Sequence, residues 1–174
     1  MKELLDNMND EEKEIVLYGL RQLPMYIISY ISILFIMLLM HMMWQGILYS
    51  IVYFSIRRYS GGYHAETRIR CYIVSMLLVI VGMIYIKYVS VMSLLNKIAF
   101  VILGMIIMCI SPVDCVNKKL DDIEKRVYKK RTCYITAFWM IFAIAVPYEI
   151  ITTIMFIAFF EIVLMCVLGL KFRK

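Results

Sequence analysis

Charged residues and helix-breaking residues are both scarce in this chain. Of its 174 residues only 18% are charged, and there are 7 glycines and 3 prolines. A soluble domain averages about 25% charged residues, and disordered chains are richer in glycine and proline. Because 63% of the residues are hydrophobic, the sequence predicts an integral membrane protein with α-helical spans rather than a soluble domain.

The spacing of cysteine and histidine gives no indication of a metal site or a disulfide framework. The 5 cysteines include no Cys-x-x-Cys pair, and His41 is distant from His64 in the sequence. Zinc sites and disulfide frameworks need paired or closely spaced ligands. We therefore expect no metal and no other cofactor. The chain also lacks the Gly-x-x-x-x-Gly-Lys loop of nucleotide-binding proteins, so an ATP-driven pump would need a partner.

The formal net charge of +6 comes from basic residues that are grouped between apolar runs. A nucleic-acid-binding surface needs one continuous basic stripe, so we expect no nucleic-acid partner. Short basic segments between membrane spans lie on the cytoplasmic side. This rule predicts that the segments 57–70, 118–131 and 171–174 lie in the cytoplasm. Residues 1–14 are polar and acidic, unlike a secretory signal, so we expect internal spans to hold the chain in the membrane.

The apolar runs predict an all-α, multi-pass membrane bundle of about six transmembrane or partly inserted helices. Residues 1–23 predict a short amphipathic helix on the inner membrane surface, or else a helical extension of the first span. The uncharged run 24–56 is expected to break at 41–46. Lys87 and Lys97 separate spans at 72–86 and 98–110, and Pro147 with Glu149 divides the last run. We expect a single domain over 1–174. The chain would cross the membrane four times if the run 24–56 enters the bilayer and returns without crossing it.

One segment, residues 57–71, combines the only adjacent glycines of the chain with four arginines, one of the two histidines and a cysteine. It contains His64 and Cys71, and a thiol beside an imidazole is the minimal equipment for nucleophilic catalysis. On one continuous helix the two would be about 10 Å apart, whereas proton transfer needs about 3 Å. The pair can therefore meet only if the chain breaks between them. Thr67 is the candidate N-cap of the following helix, and Gly61 with Gly62 would let His64 fold back over Cys71.

A plain structural interpretation of the same residues stays open at this point. Cysteines in membrane spans are usually small apolar fillers, and arginines in short loops usually determine topology. In the catalytic interpretation, by contrast, a cation such as Arg70 beside Cys71 stabilises a negatively charged sulfur.

The run Arg-Arg-Tyr-Ser-Gly-Gly-Tyr-His-Ala-x-Thr-x-x-x-Cys at 57–71 closely resembles the signature of the accessory gene regulator B family. A second element, Ser111-Pro112-Val113-Asp114 followed by Asn117-Lys118 and Leu120, is similar to the other loop of that family. Length and hydropathy match as well, so the resemblance covers essentially the whole chain. It implies a bacterial cell-membrane cysteine peptidase that matures quorum-sensing peptides.

The resemblance implies a reaction and the residues that perform it. Cys71 would attack a peptide bond near the C-terminal end of a small propeptide, with His64 as the catalytic histidine. The tail leaves, and a cysteine or serine of the propeptide then displaces the enzyme thioester to close a thiolactone or lactone. The candidate supporting or substrate-binding residues are Arg57, Gly61, Gly62, Arg70, Asp114 and Lys118, within a catalytic loop at 57–71 and a basic loop at 111–132.

The expected partners are a propeptide with an amphipathic helix and an acidic tail, the lipid bilayer, and a second copy of the chain in a homodimer. The basic residues at 118–131 would suit the acidic tail. Two other functions stay open. A non-enzymatic transporter or peptide exporter is suggested by Glu161, a costly carboxylate within a span. A scaffold whose basic loops bind anionic lipid or a kinase is the other.

Overall fold

The structure, a computed structural model, describes residues 9–63, 67–89, 94–114, 120–146 and 148–171. These residues form six helices, numbered here in chain order as α1 (Asp10–Leu39), α2 (Met43–Ser60), α3 (Arg68–Tyr88), α4 (Leu94–Ile110), α5 (Asp122–Ala145) and α6 (Glu149–Lys171). No extended strand occurs in these ranges. The prediction of an all-α bundle of about six helices is therefore confirmed.

Helix α6 lies at the centre of the bundle, where it contacts α2, α3, α4 and α5. Its apolar residues occur on every side instead of along one stripe, and most of them are buried, while Phe160, Leu164 and Val167 stay exposed on one side. Ile154, Ala158 and Ile162 are completely buried, and so are the polar side chains of Thr153 and Glu161, the latter at 1% exposure. The other helices are therefore positioned largely by their packing against α6.

Helix α1 lies at the edge of the bundle, against α2 and α3. Its residues Tyr26, Ile31 and Leu39 are each more than half exposed. An apolar surface of this extent is uncommon on a soluble protein but normal where lipid covers it. The helix continues without a break through Pro24, so residues 10–23 and the first apolar run form one helix. The position of residues 1–23 relative to the membrane surface stays a prediction.

The first apolar run breaks where the sequence predicts. Helix α1 ends at Leu39, His41 has a left-handed φ of 55°, and the amide of Met42 donates to the carbonyl of Met37 at 3.0 Å. Helix α2 then begins at Met43. The run therefore breaks at 40–42, at the start of the predicted range 41–46, and residues 43–46 already belong to α2.

Among the described residues, three helices are long and apolar enough to cross a membrane: Gln22–Leu39 within α1, Arg68–Tyr88, and Glu149–Lys171. The apolar part of α4, Lys97–Ile110, is shorter. The spans predicted at 72–86 and 98–110 lie within α3 and α4. The last run is divided between Ala145 and Glu149 as predicted, while Pro147 itself lies outside the described residues.

One end of the bundle collects the helix ends that carry the conspicuous sequence motifs. The C-terminal ends of α2, α4 and α6 meet the N-terminal end of α5 there, through hydrogen bonds and an ion pair. The N-terminal end of α3 joins them through the short connection from α2. Arg58, Arg126 and Arg131 are exposed at this end, which makes its surface basic. We call it the site end.

Lys129 has a structural role that sets it apart from its basic neighbours. From α5 its ammonium donates to the carbonyl oxygens of Met108 and Cys109, the latter at 2.9 Å. These carbonyls belong to the last turn of α4, which has no basic residue of its own. The last carbonyl groups of a helix have no hydrogen-bond donor within the helix. A cation there donates to them and interacts favourably with the helix dipole. Lys129 therefore caps α4 from a neighbouring helix.

We expect Lys129→Met to lower the free energy of unfolding by about 1–3 kcal/mol, because two carbonyl groups lose a charged donor. Lys130→Met is the matched control, since Lys130 is exposed on the same helix. Unfolding in mixed detergent micelles, followed by circular dichroism, measures both. An equal loss in the two variants would contradict a capping role.

Candidate active site

The loop that follows α2 has a backbone that only glycine adopts readily. Helix α2 ends at Ser60, and Gly61 and Gly62 have φ values of 67° and 117°. Positive φ places a side chain in steric conflict with its own backbone, so other residues are disfavoured at both positions. The pair turns the chain sharply at the site end, as the sequence predicts. Tyr63, the residue before His64, follows this turn.

This loop is docked on the second sequence motif. The amide of Val113 donates to the carbonyl of Ser60 at 2.9 Å, and the amide of Gly62 donates to the carbonyl of Val113 at 3.4 Å. Gly61 and Val113 form an isolated parallel bridge, and a Cβ on Gly61 would collide with the Val113 carbonyl. Two motifs that are far apart in the sequence therefore meet through their backbones.

Helix α6 supports the same loop from a third direction. The amide of Tyr63 donates to the carbonyl of Met165 at 2.8 Å. One turn later, a Cβ on Gly169 would lie 2.7 Å from the carbonyl carbon of Gly62 and 2.7 Å from the nitrogen of Tyr63. Only a residue without a side chain lets the loop approach this closely.

Arg57 holds the loop from its own helix. Its Nη2 donates to the carbonyl of Tyr63 at 2.7 Å, and its side chain also lies beside Tyr53. A Cβ on Gly62 would come 2.5 Å from Nη1, so Gly62 makes room for the guanidinium as well as for Met165. The next residue, Arg58, is exposed. The two adjacent arginines thus differ completely in their surroundings.

Cys71 lies in the first turn of α3. Thr67 has the extended backbone of an N-cap, its Oγ1 accepts from the amide of Arg70 at 3.3 Å, and its carbonyl accepts from the amide of Cys71 at 3.0 Å. The prediction that Thr67 caps this helix is confirmed. The sulfur-bearing residue is half-buried, whereas Arg68 and Arg70 are exposed beside it.

His64 lies outside the described residues, together with Ala65 and Glu66, so its contact with Cys71 stays a prediction. The structure describes both sides of this gap, since Tyr63 is bound by Arg57 and Met165 and Thr67 begins the next helix. The histidine therefore follows directly after the most firmly held residue of the loop.

Asp114 belongs to the second motif and connects it to α5. One of its carboxylate oxygens lies 3.5 Å from Nζ of Lys125, and its side chain is 11% exposed. Lys118, the other candidate in this loop, lies outside the described residues. Asp114 thus lies next to Val113, which binds the loop, and its ion pair with Lys125 attaches this segment to α5.

Two residues of this site, Met165 and Gly169, were not predicted from the sequence. The only available signal was that Gly169 is an isolated glycine in a helix of larger apolar residues, which usually has a packing reason. Within the described ranges, no group of three or more His, Cys, Asp or Glu side chains is arranged to hold a metal ion.

Comparison with known proteins adds a family match and two relatives. Residues 1–168 match the model of the family described as Accessory gene regulator B. A protein of Clostridium perfringens (strain SM101, type A) that is named AgrB-like is 30% identical over 136 residues, which cover 72% of this chain and 62% of that protein. A second such protein, of strain 13, is 28% identical over 133 residues with the same coverage. The chain thus spans less than two thirds of the length of these curated relatives. No solved structure matches it.

We expect Gly169→Ala to displace the docked loop. The new methyl group would press on backbone atoms of Gly62 and Tyr63, which cannot rotate away as a flexible side chain could. Loss of the Tyr63–Met165 hydrogen bond should speed amide hydrogen exchange at Tyr63 by about tenfold, equivalent to about 1.4 kcal/mol.

The matched control is Gly19→Ala on α1, where an added Cβ would meet nothing within 4 Å. Alanine should stabilise that exposed helical position and leave exchange at Tyr63 unchanged. Hydrogen-exchange mass spectrometry of peptides spanning 60–63 makes the comparison. Unchanged exchange in Gly169→Ala would show that the close approach is not needed to hold the loop.

Proposed function

The chain belongs to the accessory gene regulator B family, and on that premise we propose that it is a membrane-embedded cysteine endopeptidase that cleaves the C-terminal tail of a small quorum-sensing propeptide and promotes its cyclisation. Autoinducing-peptide processing is the activity that the family suggests. The observation that supports the finer proposal is the docked loop. Val113 binds Ser60 and Gly62, Arg57 and Met165 bind Tyr63 next to His64, and the next described helix has Cys71 in its first turn.

In the proposed reaction, the sulfur of Cys71 attacks the carbonyl carbon of the scissile peptide bond. His64 takes the thiol proton and returns it to the nitrogen of the departing tail, so a thioester forms as the amide bond breaks. A cysteine or serine of the propeptide then attacks the thioester carbonyl. The enzyme sulfur leaves and recovers its proton through His64, and the product is a thiolactone or lactone.

The supporting residues act by placing and shielding this chemistry. Arg57, Gly61 and Gly62 shape the loop that carries His64, and Arg70 adds positive charge beside the thiol. Asp114 and Lys118 are proposed to contribute from the second loop. Cyclisation competes with hydrolysis of the thioester, so a site that keeps water from the thioester favours ring closure.

The proposed substrate carries an amphipathic helix and an acidic tail. Exposed basic side chains at the site end, such as Lys130 and Arg131 on α5, would attract the tail. The uncovered apolar face of α1 would suit contact with lipid or with a second copy in a homodimer. Chemical cross-linking in membranes that yields monomer alone would count against the homodimer.

We expect Cys71→Ala to abolish cleavage of a co-expressed propeptide from a neighbouring gene, and His64→Ala to slow cleavage by about 10²–10⁴-fold, the usual contribution of a general acid–base group. The controls are Cys109→Ala and Cys133→Ala, which remove thiols outside the loop. Gel mobility of the tagged propeptide and mass spectrometry of the product follow the reaction. Normal processing by a membrane-inserted Cys71→Ala protein would refute the proposed function.

The charge distribution of the site end supports a multi-pass protein with this end in the cytoplasm. Arg126→Cys at the site end and Tyr148→Cys at the opposite end, each in a cysteine-free background, test it, because both native side chains are exposed. A membrane-impermeant maleimide should label the first only in inverted vesicles and the second in intact cells. Labelling of both from the same side contradicts this orientation.

A further inference from the structure

A carboxylic acid lies in the middle of the bundle, away from the loop that carries the proposed chemistry. Glu161 on α6 is 1% exposed, and its Oε2 accepts a hydrogen bond from the hydroxyl of Tyr49 on α2, which is also 1% exposed. Burying a carboxyl group and a phenol in an apolar interior is costly unless each has a partner. The bond therefore fixes the position of α2 relative to α6 along the helix axes, which we call the height of a helix.

Helix α3 is held at the same point by a glycine. A Cβ on Gly82 would lie 3.1 Å from Cε2 of Tyr49 and 3.2 Å from Oε1 of Glu161. Gly82 is buried, so the backbone of α3 touches both partners of the hydrogen bond with no side chain between them. We call the meeting point of Tyr49, Gly82 and Glu161 the three-helix junction.

The three helices of the junction also carry Arg57, Met165 and Cys71 of the candidate active site. Arg57 lies about two turns beyond Tyr49 on α2, a spacing that keeps both on one face. The ring of Tyr53 lies between them and stacks on Tyr49 with centroids 5.9 Å apart. A shift of α2 at the junction would therefore move Arg57 and the carbonyl that it holds.

The other two helices show the same relation. On α6, Met165 follows Glu161 by one turn, so the carbonyl that receives the Tyr63 amide is fixed close to the junction. On α3, Cys71 precedes Gly82 by about three turns, or about 16 Å, and lies on nearly the same face. The height of α3 at Gly82 thus sets how far Cys71 projects toward the loop.

We propose that Glu161 and Tyr49 are positioning residues, whose hydrogen bond sets the relative heights of α2, α3 and α6 and thereby the distance from Cys71 to the loop Ser60–Tyr63. This inference rests on the proposed peptidase function for its effect on catalysis. It predicts that the hydrogen bond matters through its geometry: an acceptor must be present at residue 161, and a hydroxyl at residue 49.

Three variants separate geometry from charge. Tyr49→Phe removes only the donor hydroxyl, Glu161→Leu removes the acceptor, and Glu161→Gln keeps a carbonyl oxygen that can accept. For Tyr49→Phe and Glu161→Leu we expect kcat for propeptide cleavage to fall by about 10²-fold, the effect of misplacing reacting groups by about 1 Å, with little change in KM. Glu161→Gln should retain most of the activity.

A second measurement does not depend on the substrate. N-ethylmaleimide alkylates thiols, and peptide mass spectrometry can follow Cys71 with the exposed Cys109 as an internal reference in the same molecule. The ratio of the two rates should change in Tyr49→Phe and Glu161→Leu and be restored in Glu161→Gln. Tyr134→Phe and Glu149→Leu are matched controls, because both side chains are exposed and lie outside the junction.

The possible outcomes are distinct. Wild-type activity and alkylation ratios in all three variants would overturn the proposal. Glu161→Gln as inactive as Glu161→Leu, with an active Tyr49→Phe, would also overturn it, because cleavage would then require the carboxyl group itself and not the hydrogen bond. If Glu161→Leu fails to insert, the conservative Tyr49→Phe carries the test. If the wild-type chain cleaves no propeptide but the alkylation ratios change as expected, the proposed function fails and the positioning role stands.

Discussion

The hydrogen bond from the Tyr63 amide to the Met165 carbonyl is the contact on which the candidate site depends. A carbonyl oxygen has two lone pairs, so a residue within a helix can accept a second donor if nothing blocks the approach. Gly169, one turn further along α6, leaves that approach open. A loop that would otherwise be mobile is thereby attached to the most deeply buried helix of the bundle.

Several polar side chains in the bundle act by the same physical rule, that a polar group removed from water must find a partner. Arg57 binds the Tyr63 carbonyl, and Lys129 binds the last carbonyls of α4. Nε1 of Trp139 on α5 donates to Oγ of Ser55 on α2 at 2.9 Å. Each of these contacts joins separate parts of the chain. Polar groups therefore fix positions that nonspecific apolar packing would leave free to slide.

Basic residues that are neighbours in the sequence have different surroundings in the structure. Arg57 and Arg58 are adjacent, and Lys129 and Lys130 are adjacent, yet among the described residues only the first of each pair donates a side-chain hydrogen bond to a backbone carbonyl. Positive charge between apolar runs predicts membrane orientation for all four. Whether one of these side chains also donates a hydrogen bond to a backbone carbonyl depends on which part of the fold packs against its side of the helix.

Local chemistry explains the features that could be predicted from the sequence. The uncharged run 24–56 is too long for one helix to cross a bilayer, so a break near His41 follows from length alone. Thr67 is a good N-cap because its hydroxyl reaches the backbone of its own first turn, and Gly61 and Gly62 predict a turn because they accept positive φ. None of these inferences needs a distant residue.

The sequence by itself therefore predicted the helices and their breaks, and it singled out the segment 57–71 as the candidate site. Only the tertiary structure decided that Val113 and Met165 bind this segment, that Gly169 admits it, and that Tyr49, Gly82 and Glu161 meet in the interior. The physical reason is that such contacts join residues far apart in the chain. Their pairing is set by how whole helices pack, which no local pattern of residues specifies.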